Sequence, residues 1–245
     1  MHSRRYTMDF KDPKNKKDLQ KAISSLSSAY SNMLISMTDQ GDSNYKKAAL
    51  LYYWLRDYRN YIKNESKFNS VHTPPFRRGN IVNINFGFNL GSELGGLHYA
   101  IVISDSIPKN PMLIVAPMTS LKPHHQLNGC EIFIDNQLFL QLKGKQDALV
   151  QTLKHQLATF TDKEPNDTVD DIISKLDQLQ KIKRQIQKLK NGSIINISQI
   201  RAISKMRVID PQSPIDVFYN ISVSSDVLDK IDNKIKQFFT NPNKL

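Results

Sequence analysis

The feature that constrains the fold most is a glycine-rich segment between two β-like stretches. Of nine glycines in 245 residues, four (Gly87, Gly91, Gly95 and Gly96) lie in "NFGFNLGSELGGLHYAIVIS". Such loops allow positive φ angles and a close backbone approach, here most simply to a ligand chain. A strand follows the loop, and no Lys-Ser/Thr pair does, so the sequence fits neither a dinucleotide fingerprint nor a phosphate-binding P-loop.

The centre of the chain is predicted to be a β-sheet. "NIVNINFGF" alternates apolar and polar residues, and "HYAIVIS", "MLIVAPM" and "CEIFID" have the β-branched content of buried strands. "SIINISQIRAIS" (193–204) is predicted to be one further strand. With the helical patterns on both sides, the sequence predicts an α+β fold.

Helical periodicity dominates the first 70 residues. Apolar residues recur at helical spacing over 19–37, and a second helical stretch of high tyrosine content occupies 45–63. We expect a helical hairpin domain at 1–70, followed by a Pro-rich break and a second domain at 76–245. Because an amphipathic hairpin must bury its apolar face, we also hypothesise that it covers a groove of the second domain or packs on a second subunit.

The second domain is expected to contain an inserted helical arm at about 149–190. Helical periodicity covers 149–160 and 169–189, and "NG" at 191–192 is a C-terminal helix signal. A last amphipathic helix is predicted over 225–239.

The net charge of +11 and the pI near 9.6 favour binding to a polyanion, whether DNA, RNA or an anionic membrane surface. A basic protein without such a ligand is the alternative. Cys130 is the only cysteine, and His124 and His125 are adjacent, so we expect no disulfide, no metal site and no cofactor. The polar N-terminus and the lack of long apolar runs predict a cytoplasmic protein without membrane partners.

Four segments in order resemble the MazF/PemK family of toxins from toxin–antitoxin pairs. They are "RRGN", "GSELGGLH", "LIVAPMTS" and "NISQIRAISK", and the resemblance covers about 76–122 and 193–239. The N-terminal hairpin and the 149–190 arm lie outside this pattern.

The resemblance implies a small, bent MazF/CcdB-like antiparallel β-barrel with flanking helices. It implies a homodimer, a possible cognate antitoxin, and a metal-independent endoribonuclease that cuts single-stranded RNA such as mRNA. The 2′-hydroxyl would attack the adjacent phosphodiester, leaving a 2′,3′-cyclic phosphate and a 5′-hydroxyl.

Carried onto this sequence, the family's catalytic threonine falls on Thr119 and its loop glutamate, which we also expect to be catalytic, on Glu93. The family arginine falls on His98, whose imidazole can transfer protons but lacks the permanent charge of a guanidinium. We therefore expect His98 to act as general acid or base, with Arg78 or Arg201 neutralising the phosphate. The expected RNA-binding residues are Arg78, Ser92, Gly95, Gly96, Ser120, Lys122, Gln199 and Arg201.

Two alternatives use the same barrel without RNA cleavage. One is a non-catalytic nucleic-acid-binding module, which would bind RNA with a steep salt dependence and leave it intact. The other is a toxin that acts on a protein such as a DNA topoisomerase, for which the basic charge would be incidental.

Overall fold

The structure is a computed structural model that describes residues 8–160 and 166–240. Contacts divide the chain into two units, Met1–Arg59 and Asn60–Leu245. The domain limits expected from the sequence, 1–70 and 76–245, stay a prediction.

The first unit is built from two long helices, as the periodicity predicts. Helix α1 spans Lys16–Thr38 and helix α2 spans Asp42–Asn64, the latter extending past the end of the unit. Gly41 joins them with a φ of 86°, a conformation that favours glycine. No residue of α1 is buried, and Leu26 is 68% exposed. The hypothesis that the hairpin covers a groove stays a prediction.

The described residues of the second unit contain seven antiparallel strands, and the four strands predicted before residue 136 are confirmed. The strands follow the order β4-β5-β3-β2-β1-β7, and β6 pairs with β3 beside β5. Their bounds are β1 Ile81–Asn85, β2 Leu97–Val102, β3 Met112–Ser120, β4 Glu131–Ile134, β5 Ser193–Asn196, β6 Arg201–Ser204 and β7 Val208–Asp210.

Chain connectivity requires the part of the sheet in the order β6-β3-β2-β1-β7 to curl strongly. Strands β6 and β7 lie at opposite ends of this path, yet only Lys205–Arg207 separates them. A flat sheet would hold the two edges about 19 Å apart, whereas the link from Ser204 to Val208 reaches about 14 Å. The α+β fold with a bent antiparallel sheet and flanking helices, expected from the resemblance, is confirmed.

Alternation along the strands produces two apolar clusters, one on each face of the sheet. The larger cluster joins Ile101 and Met118 to side chains of the later helices. The smaller cluster fills the inside of the curl, with Val82, Ala100 and Val115 at its centre. Helices thus cover one face, and the inner face depends on loops for its closure.

Between β4 and β5 the chain forms helix α3, Gln137–Thr159, and helix α4, Asn166–Leu189, which pack against each other. The helical region therefore begins at Gln137, well before the 149 predicted from the sequence. Leu142 and Ile182 belong to the larger cluster, so the base of this arm forms part of the core. Helix α5 spans Ser225–Ile235 and ends in a short π-helical turn.

The prediction of a single strand over 193–204 is wrong. A one-turn 3-10 helix at Ile197–Gln199 separates β5 from β6, although both pair with the same edge of β3. The Asn196 side chain accepts a hydrogen bond from Ser198 N, which stabilises the turn over continued strand. Within the described ranges, no helix combines the length and apolar character needed to cross a bilayer.

Candidate active site

The glycine-rich loop, residues 86–96, connects β1 to β2 and closes on itself. Phe86 N donates to Gly96 O at 2.8 Å, and Gly96 N donates to Gly87 O at 2.6 Å. Gly87 and Gly96 have φ values of 80° and 82°. A Cβ on Gly95 would lie 2.7 Å from Gly87 O. Steric limits thus explain the glycines at both the start and the end of the loop.

Gln199, in the turn between β5 and β6, fastens the loop to the sheet. Its Oε1 accepts from Leu94 N at 2.7 Å, and its Nε2 donates to Ser92 O at 3.1 Å. Within the loop, Asn89 Nδ2 donates to Leu94 O at 2.7 Å. The expected RNA ligand Gln199 therefore holds the loop in position, with Ser92 bound through its backbone.

Two arginines lie near the hydrogen bonds that Gln199 forms with the loop. Arg201 donates from Nη2 to Gln199 Oε1 at 3.1 Å, and its guanidinium lies 5.3 Å from the ring centre of Phe86. Arg207 donates from Nε to Asn85 O at 2.8 Å. Burial is the main cause that lowers the pKa of Arg207, and the charge of Arg201 lowers it further. Two cations thus share one region, which suits the binding of an anion.

His98 contacts the strand that carries Thr119. The pairing of β2 with β3 ends at Ala100 opposite Pro117, and extending the same register by two residues would set His98 level with Thr119. His98 Nδ1 lies 3.3 Å from Met118 O. Burial lowers the pKa of His98, and the hydrogen bond to Met118 opposes this shift.

His98, Thr119 and Arg201 have the strand alternation of the inner face. Each lies an even number of residues along its strand from a member of the smaller cluster. These members are Ala100, Val115 and Ile203. Three of the expected site residues therefore share the inner face. The backbone of Arg201 is level with Val115 and Val102, and its guanidinium reaches the loop end of the sheet at Phe86.

Arg78 does not join this group. It precedes β1, where Gly79 N donates to Val102 O, at the opposite end of the β1–β2 hairpin from the glycine-rich loop. Its guanidinium forms an ion pair with Asp232 of α5. Of the two arginines expected to neutralise a phosphate beside His98, Arg201 therefore remains the candidate.

The remaining expected residues lie near the surface. Glu93 is exposed on the loop, where its backbone N donates to Leu90 O. Ser120 pairs with Ser193 at the end of β3 and alternates with Thr119, so its side chain lies on the other face. Lys122 is exposed just beyond β3.

Sequence reasoning missed Phe86, Asn85 and Arg207. Phe86 and Asn85 end an alternating strand, a pattern that indicates core packing and no site role. Arg207 reaches the site through the three-residue link between β6 and β7, which carries no sequence signal. The repeated arginine in "RAISKMR" is the one feature that could have drawn attention to it.

Residues 77–189 match the family model described as PemK-like, MazF-like toxin of type II toxin–antitoxin system. Over these residues the chain is similar to this toxin family. The match spans somewhat under half of the chain. It includes the helical arm, which the sequence comparison had placed outside the pattern, and ends before Gln199 and Arg201. No curated protein matches the sequence.

Proposed function

We propose that this protein is an endoribonuclease that cleaves single-stranded RNA by attack of the 2′-hydroxyl on the adjacent phosphodiester. The single observation that carries the proposal is the contact of His98 Nδ1 with the backbone oxygen of Met118, the residue before Thr119. The similarity to MazF-like toxins supports RNA as the substrate, because the MazF/PemK resemblance implies an endoribonuclease.

His98 is proposed to act as the general base. A carbonyl oxygen only accepts hydrogen bonds, so the contact between Nδ1 and Met118 O assigns the proton to Nδ1. In the neutral ring Nε2 then carries the lone pair. The lowered pKa favours this neutral form near pH 7. A base at Nε2 would remove the proton from the 2′-hydroxyl as its oxygen bonds to phosphorus.

The charge that develops on the phosphorane oxygens needs donors, and Arg201 with Arg207 would supply them. The Thr119 hydroxyl can donate a further hydrogen bond. As the bond from phosphorus to the 5′ oxygen breaks, that oxygen would take a proton from water. Glu93, an exposed carboxylate, would accept hydrogen bonds from nucleobase amino groups.

The RNA-binding roles of Ser92, Gly95, Gly96, Ser120 and Lys122 stay proposals of the same kind. Glycines that allow close backbone approach in the loop and a cation beyond β3 suit a phosphate backbone. The homodimer and a cognate antitoxin, both expected from the family, also stay predictions.

The test is incubation of the purified protein with mixed single-stranded RNA in the presence of EDTA, with Thr119→Ala as the matched variant. We expect fragments that carry 5′-hydroxyl ends and that the variant produces far more slowly. RNA that is bound yet left intact would overturn the proposal in favour of a binding module. RNA that is neither bound nor cut would favour a toxin with a protein target.

A further inference from the structure

A cavity of about 500 Å³ lies between the last turn of α2 with the segment that follows it and the link from β6 to β7. Its wall includes residues 60–76, which precede the family match, so this part of the wall lies outside the family pattern. The volume falls within the range of about 300–1,000 Å³ typical of small-ligand sites.

The side chains that line the cavity are of three kinds. Tyr61, Phe68 and Phe76 are aromatic, Lys67, His72 and Lys205 are basic or titratable, and several others are amides. Among the described residues that line it, none is acidic. Aromatic rings stack on bases, amides bond to base edges, and lysines bind phosphate.

Lys205 gives the cavity a buried cation. The residue is 3% exposed, and its Nζ donates to Ile107 O at 3.2 Å. No carboxylate of the described residues forms an ion pair with it. Burial lowers the pKa of Lys205, as expected for an ammonium without an opposing charge. A bound phosphate would supply that charge.

Arg207 connects the cavity to the candidate active site. Its side chain contacts Asn85 of the loop hairpin and is close enough to both Tyr61 and Arg201 to be affected by them. Lys205, Met206 and Val208 on either side of it line the cavity. A strand of RNA that passes Arg201 can therefore reach this cavity along Arg207.

We propose that the cavity holds a nucleotide of the single-stranded RNA substrate outside the scissile bond, with its base among Tyr61 and Phe68 and its phosphate near Lys67 and Lys205. The inference rests on the proposed function for its ligand. It adds a subsite made in part by residues 60–76.

The test measures binding of the full chain to 2′-O-methyl RNA, which cannot be cleaved by 2′-hydroxyl attack. Fluorescence anisotropy compares an oligonucleotide of about 12 nucleotides with one of about four. Lys67→Gln is the main variant. Lys63→Gln is its matched control, because it removes the same charge from an exposed residue that does not line the cavity.

For the long oligonucleotide, Lys67→Gln should reduce the slope of log affinity against log salt by about one, and Lys63→Gln should leave the slope unchanged. Phe68→Leu keeps an apolar side chain but removes the ring, and should weaken binding about fivefold. Affinity for the short oligonucleotide should stay the same in both cavity variants.

Equal effects of Lys67→Gln and Lys63→Gln, or equal losses for the two lengths, would overturn the subsite. Unchanged binding of long RNA by all variants would also overturn it and leave a peptide partner as the alternative occupant. Wild-type cleavage is scored separately. Cleavage without a cavity effect refutes only the subsite, and a cavity effect without cleavage refutes only the nuclease.

Discussion

The two ends of the β1–β2 hairpin use arginine in different ways. At one end Arg78 forms an ion pair with Asp232 of α5, which ties the sheet to the closing helix. At the other end Arg201 lies over the Phe86 ring, and Arg207 lies near it. Both Arg78 and Arg201 match basic positions of one family pattern. The comparison teaches that the local partner of an arginine indicates its role better than its place in a motif.

The largest predicted effect is that of replacing His98, which lies at the end of the hairpin that carries the glycine-rich loop. His98→Ala should lower the cleavage rate by about 10²- to 10⁴-fold, because it removes the proposed base. Single-turnover cleavage of an RNA oligonucleotide measures the rate. His98→Gln is the matched variant, since it keeps a hydrogen-bond donor but cannot take a proton. Full activity in His98→Gln would reduce His98 to a positioning role.

The second prediction compares the two arginines directly. Arg201→Ala should slow cleavage about 10²-fold through loss of charge stabilisation, and Arg201→Lys should recover part of that loss. Arg78→Ala should leave cleavage unchanged and lower the free energy of unfolding by about 1 kcal/mol, because its ion pair is partly exposed.

Single-turnover rates and urea unfolding of both variants measure the two effects. The comparison would break if Arg78→Ala slowed cleavage as much as Arg201→Ala while the protein stayed folded.

The third prediction concerns the glycine-rich loop, residues 86–96, which connects β1 to β2. Gly95→Ala should lower the free energy of unfolding by about 1–3 kcal/mol, since its Cβ would lie 2.7 Å from a backbone oxygen. Gly144→Ala, in α3 with open space around its Cβ, should raise it by about 0.5–1 kcal/mol. Urea unfolding measures both. A neutral Gly95→Ala would mean that the loop shifts at no cost.

Much of the fold could be predicted from periodicity. The two N-terminal helices, strands β1 to β4, α4 and α5 all repeat at the spacing of their structure. The start of α3 was missed because Gly144 and several polar residues interrupt its pattern. Strand β7, Val208–Asp210, is too short to produce an alternation, and the turn at Ile197–Gln199 depends on a side-chain cap.

The site was less accessible to sequence reasoning. The resemblance identified His98 and Thr119, but the contact of His98 with Met118 follows from the pairing of β2 with β3, which no local pattern specifies. The different surroundings of Arg78 and Arg201 likewise depend on the tertiary structure, because Arg78 pairs with Asp232 of α5 and Arg201, in β6, lies over the Phe86 ring. Arg207 reaches the loop because the sheet curls, and curl is a property of the assembled strands.

The smallest expected effect is on the pH dependence of the cleavage rate. Titration of His98 should set this dependence, because the arginines stay charged. Burial lowers the pKa of His98 below its ordinary 6.5, and a base acts in its neutral form. The cleavage rate should therefore rise with pH to a plateau, with a midpoint below 6.5. A rate that falls as pH rises through this range would make His98 the general acid.

The stability of the protein depends on the same histidine. Because the unfolded chain binds a proton on His98 more tightly, the free energy of unfolding also decreases as pH falls below 6.5. Circular dichroism must therefore show that the protein is folded at each pH. Arg78→Ala, which alters no group that titrates here, should keep the same midpoint.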